Sequence, residues 1–108
     1  MRHINYSPPV RFINYIGKIC ERFAGLQIIW INILPATEDY EKTLPGISQR
    51  VNEYNKILDT QAAVKGFSVL DTAAIPREGI MSDHHHLTTK GHLWISDRLL
   101  EMLNDKKT

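Results

Sequence analysis

Asp83 and His86 stand three positions apart in the stretch Ser82-Asp83-His84-His85-His86-Leu87, which reads as a tight loop. At that spacing the carboxylate can accept one imidazole N–H and leave the other ring nitrogen free as a base. Such a pair is half of a hydrolytic triad, and the other half is a serine or cysteine that the base activates. No residue stands out for that part. Ser7 suits a helix cap, Ser48 and Ser96 fall on helices, Ser68 falls on a strand, and Ser82 directly precedes the pair. Cys20 lies on the apolar stripe of the first helical segment, where a free cysteine reads as core.

The histidine triplet also raises a metal hypothesis, with Asp83 adding an oxygen to imidazole ligands. Adjacent loop residues rarely converge on one ion, and His3 and His92 are isolated in sequence. Neither a metal nor a cofactor is therefore expected. His84 and His85 are expected to face solvent or a cleft, and His92 a helix surface.

Several elements must hold the loop. Ser7-Pro8-Pro9 is a helix start, because a first-turn proline removes an N–H that has no internal partner. Phe12, Ile16, Ile19 and Phe23 then recur at helical spacing, so a helix is predicted over residues 8–23, closed by Gly25. Residues 26–34 form an apolar, β-branched run stopped by Pro35; a strand apolar on both faces is expected to be buried on both. Asn32 is its one polar interruption, either an amide bonded to backbone or a functional group near the strand's carboxyl end. Residues 35–43, with Glu38 and Asp39, read as a solvated polar loop.

Ile47, Val51, Tyr54, Leu58 and Ala62 follow one helix face, and Lys65-Gly66 ends that helix. Residues 67–71 read as a second strand, which makes a βαβ unit with parallel strands and a right-handed crossover. Residues 72–82 carry no periodicity. Thr88 or Thr89 caps a last helix whose stripe Leu93, Ser96, Leu99, Leu100 and Leu103 is expected to face inward, with Asp97, Arg98, Glu101 and Asn104 outward. Lys106 and Lys107 then suit the helix's negative end. Both long loops leave the strands' carboxyl ends, where open parallel sheets bind ligands.

The fold class expected is α/β, in the order α-β-α-β-α. Two strands alone leave faces and edges uncovered, so the chain reads as the second half of a larger doubly wound domain or as a protomer whose sheet continues in another chain. Its 108 residues allow one domain, and 43% apolar with 23% charged residues is ordinary for a globular chain without a membrane span. With a net charge of +1 and scattered basic residues, nucleic acid is not an expected partner. No apolar leader follows Met1, and the single cysteine leans towards a reducing, cytoplasmic setting.

The buried strand ending in Leu34-Pro35, the amphipathic helix with Val51-Asn52-Glu53-Tyr54-Asn55, the short strand ending at Asp71, and Asp83, His86, Leu87 and Gly91 in their order together resemble the C-terminal half of the SGNH hydrolases, or GDSL esterases and lipases. The resemblance spans roughly residues 8–103. It implies a three-layer, flavodoxin-like fold and hydrolysis of small-molecule esters without a metal. His86 would be the general base and Asp83 its orienter, while a serine N–H, a glycine N–H and an asparagine side chain would hold the oxyanion. The family's Gly-Asp-Ser motif, the block with its oxyanion glycine and its Gly-x-Asn-Asp block are absent here, so the resemblance implies a C-terminal segment that lacks the nucleophile. The isolated chain is then expected to be inactive, with a missing N-terminal half or a homo-oligomer completing the sheet. The alternative is an inert interaction module that self-associates through its sheet edge.

Overall fold

The computed structural model describes residues 8–83 and 86–105. The Ser7 cap, His3, His84, His85 and the Lys106-Lys107 pair lie outside the described residues. Helix α1, Pro9–Arg22, opens with proline in its first turn, and the Phe12 N–H donates to the Pro8 carbonyl at 2.9 Å. Strands β1, Ile29–Ile31, and β2, Ser68–Leu70, pair in parallel with Trp30 opposite Val69. The ladder runs on through Ser68 N–H to the Ile28 carbonyl and Asn32 N–H to the Leu70 carbonyl, both 3.1 Å. Between the strands lie helix α2, Glu38–Thr43, and helix α3, Ile47–Lys65. Gly66, at φ +84°, closes α3 in the left-handed region as its position predicts. A 3-10 turn, Arg77–Gly79, then leads to helix α4, Thr89–Asp105.

The parts form one mixed α/β arrangement around a two-stranded parallel sheet. Ile16 of α1, Leu58 of α3 and Phe67 share a core against which Phe12, Cys20, Ile28, Trp30 and Val69 pack. Ring contacts join the same elements, Phe12 to Tyr54 at 5.3 Å and Trp30 to Phe67 at 5.8 Å between centroids. Among the described residues, no helix is long and apolar enough to cross a membrane.

Three expectations are corrected. Residues 35–43 are not all loop: Thr37 Oγ1 accepts the Tyr40 N–H at 3.0 Å and starts α2, whose Glu38, Asp39 and Glu41 suit the positive end of the helix dipole. β1 is not covered on both faces. Its Trp30 side meets the core, whereas Ile31 is 45% exposed and Ile33, just past the strand, 43%. Nor does the leucine stripe of α4 face inward, since Leu93, Leu100 and Leu103 are exposed, as is Ser96, and only Leu99 is half-buried. The helix instead buries Gly91 and Ile95, because its first turn sits directly on the 3-10 turn: a Cβ on Gly91 would lie 2.2 Å from the Gly79 carbonyl oxygen. Asp97, Arg98, Glu101 and Asn104 are exposed, as expected.

The extents of 44 × 33 × 17 Å describe a slab, and its radius of gyration of 15.1 Å exceeds the value of about 13 Å usual for this chain length. The short dimension has room for the sheet and one layer of helices, each about 10 Å across.

Candidate functional site

The Asp83/His86 loop hangs from a closed base. Ile80 and Leu87 form an antiparallel bridge, and the Met81 N–H donates to the His86 carbonyl at 2.9 Å. Within the loop Asp83 turns both carboxylate oxygens to His86. Oδ1 accepts the His86 N–H at 3.1 Å, and Oδ2 lies 2.5 Å from Nδ1. A carboxylate can only accept, so the neutral ring carries its proton on Nδ1 and offers Nε2 as the base. Nε2 meets no serine hydroxyl among the described residues. The two side chains are 73% and 44% exposed, so water competes with the pair and its direct contribution to stability is small, about 0–1 kcal/mol.

The strands' carboxyl ends carry a second polar group. Asn32, 9% exposed, accepts at Oδ1 from the Thr72 N–H (2.9 Å) and the Thr72 hydroxyl (2.7 Å), and its Nδ2 donates to Asp71 Oδ1 at 3.1 Å. Asp71 Oδ1 also accepts the Ala73 N–H at 2.9 Å. The Asn32 amide thus pins the chain where it leaves β2 towards the dyad loop. Asn55 does the same for β1: its Oδ1 accepts the Ile33 N–H and its Nδ2 donates to the Ile33 carbonyl, both at 2.9 Å. The side chain imitates a neighbouring strand. Sequence reasoning missed this role, although Asn55 borders the apolar stripe of its helix, and a polar residue there is the available signal.

Glu41 bridges the two central helices. Its carboxylate accepts the Gly46 N–H at 2.7 Å and the Ser48 N–H at 2.9 Å, which supplies α3 with the acceptor its first turn lacks. The Gly46 N–H, and after it the Ser48 N–H, hold the Glu41 carboxyl below the usual carboxylate range.

Of the remaining candidates, Cys20 is half-buried against the core, Ser68 lies in β2, Ser96 is exposed on α4, and the Ser48 N–H is engaged by Glu41. His92 is exposed on α4. Among the described residues no three His, Cys, Asp or Glu side chains gather closely enough to hold a metal. A cavity of ≈ 310 Å³ lined by Cys20, Ile28, Lys65 and Phe67 lies at the strands' amino ends, opposite the edge from which the dyad loop departs. Comparison of the chain with protein-family models, with curated protein sequences and with solved structures finds no match in any of the three.

Proposed function

We propose that the chain supplies the Asp-His half of a serine ester hydrolase of the SGNH type, within a three-layer, flavodoxin-like domain. The observation that carries this reading is the Asp83–His86 pair, with both carboxylate oxygens on one histidine and Nε2 left open. His86 takes the proton of a serine hydroxyl as that oxygen attacks the ester carbonyl, and returns it to the leaving alcohol. Asp83 holds the tautomer and stabilises the imidazolium. The serine and the oxyanion donors come from polypeptide other than the described residues. Losing even one oxyanion donor costs about 10²–10³ in rate, so the chain alone turns over little or no ester.

The test is hydrolysis of a short-chain aryl ester by this chain alone and by the chain joined to an upstream segment carrying Gly-Asp-Ser and Gly-x-Asn-Asp. His86→Ala should abolish turnover in the completed protein and leave its circular dichroism unchanged. Turnover that survives this substitution refutes the assignment.

A second reading is favoured by the exposed Ile31 and Ile33 side chains on a sheet that has only two strands among the described residues, with one outer edge on β1 that Asn55 meets only at Ile33. In it the chain is an inert α/β interaction module that self-associates through that edge. Sedimentation velocity separates the two, since a strictly monomeric chain at micromolar concentration rules the second out.

A further inference from the structure

We infer that Thr88, together with the contact of Gly91 on Gly79, is a positioning device that sets the His86 imidazole against Asp83. It rests on the base role proposed for His86 and adds what fixes that base in place. Thr88 lies two residues past His86, and besides accepting the His92 N–H at its carbonyl (3.0 Å) it makes three bonds. Its N–H donates to the Gly79 carbonyl at 2.9 Å, its hydroxyl donates to the Glu78 carbonyl at 2.7 Å, and the same oxygen accepts the Gly91 N–H at 3.2 Å. One side chain thus caps α4 and ties the returning limb of the dyad loop to the 3-10 turn on its outgoing limb.

The glycines make that tie tight. Besides the 2.2 Å approach to the Gly79 oxygen, a Cβ on Gly91 would lie 3.0 Å from the Gly79 carbonyl carbon, and one on Gly79 would lie 3.0 Å from Gly91 Cα. The oxygen that would be struck is the acceptor of the Thr88 N–H. A methyl at position 91 must therefore push the start of α4 off the turn. The limb carrying His86 moves with the helix, while the limb carrying Ile80 and Met81 stays with the turn. The displacement shears the loop, and Asp83 and His86 lose register.

The test reads the tautomer of His86 in the full chain, uniformly labelled with ¹⁵N, by long-range ¹H–¹⁵N correlation above the histidine pKa, with His86→Gln assigning the signals. The wild-type ring should be mainly the Nδ1–H form, and Asp83→Ala should lose that excess. Gly91→Ala and Thr88→Val should each lose at least half of it with circular dichroism unchanged, whereas Thr88→Ser should retain it. A residue with only a structural role would not move this signal. If Gly91→Ala fails to fold, Thr88→Val against Thr88→Ser decides. A wild-type tautomer in Thr88→Val overturns the positioning role while the pair itself stands. No change in Asp83→Ala removes the pair, and the positioning role falls with it.

Discussion

Asn32→Ala should destabilise the chain far more than an ordinary surface truncation, by an amount the local bonding sets. Thr72 is fully buried, and its N–H has the Asn32 amide oxygen as partner. Removing that oxygen leaves the N–H without an acceptor, at a cost of about 1–3 kcal/mol. The Thr72 hydroxyl is spared, because the Ile33 carbonyl lies 3.2 Å away and can take its proton. The lost amide bond to Asp71, part-exposed, adds about 0.5–1.5 kcal/mol, so the total is roughly 1.5–4.5 kcal/mol. With an m value of about 1–2 kcal/mol per molar urea, the midpoint should fall by roughly 1–4 M. Trp30, two residues before Asn32, reports the transition by fluorescence. Asn32→Asp sharpens the test, since it keeps the acceptor for Thr72 but sets a second carboxylate against Asp71. Its deficit should be large at neutral pH and shrink as acid protonates one of the two. A stability for Asn32→Ala within about 0.5 kcal/mol of wild type, the range of an ordinary surface change, would show that the network does not hold the strands' ends.

Glu41→Gln should destabilise the chain near neutral pH, with the difference closing in acid. A depressed carboxyl pKa contributes stability that is fully present above the unfolded value of about 4.3 and is lost as pH falls through the lower folded value. Urea midpoints of both proteins between pH 7 and about 2.5 measure this, and a gap that stays constant into acid contradicts it. Asn55→Ala should cost about 1–2 kcal/mol and increase amide hydrogen exchange at Ile33, because both backbone groups of Ile33 lose their partner at once. Unchanged exchange at Ile33 would mean that water replaces the amide without loss. Leu58→Ala, at a 1% exposed site between Ile16 and Phe67, should cost about 2–5 kcal/mol, seen as a lower thermal midpoint. A loss below about 1 kcal/mol would place the centre of the core elsewhere.

Long-period patterns were legible in the sequence, and close approaches were not. The stripe of Val51, Tyr54 and Leu58 identified α3 and its buried face, because a 3.6-residue repeat of large side chains has one reading. The parallel pairing of β1 and β2 was also legible, since two apolar runs separated by a long helix cannot form a hairpin. Helix α2 escaped because a capping hydroxyl and first-turn acids, rather than apolar repeats, make it form. The inward face of α4 was misread because leucines suggest a core, while the buried positions are Ile95, off the leucine stripe, and Gly91, which has no side chain to signal it. At the site, the spacing of Asp83 and His86 is local and could be read directly. The cap at Thr88 was legible, and Asn55 left a faint signal as a polar residue beside the stripe of α3, but what these residues and Gly79 touch depends on contacts between elements distant in the chain or turned back on themselves, which one sequence does not specify.

The bridge between Ile80 and Leu87 brings the two feet of the catalytic-candidate loop side by side. Lengthening a loop whose ends already meet is thermodynamically mild, about 0.6 kcal/mol for each doubling of its length. Variation in the number of residues at the tip would therefore leave the sheet and helices unburdened. What fixes the length of this stretch is the pair itself, because Asp83 meets His86 across a separation of three positions, so the candidate chemistry and not the scaffold constrains it.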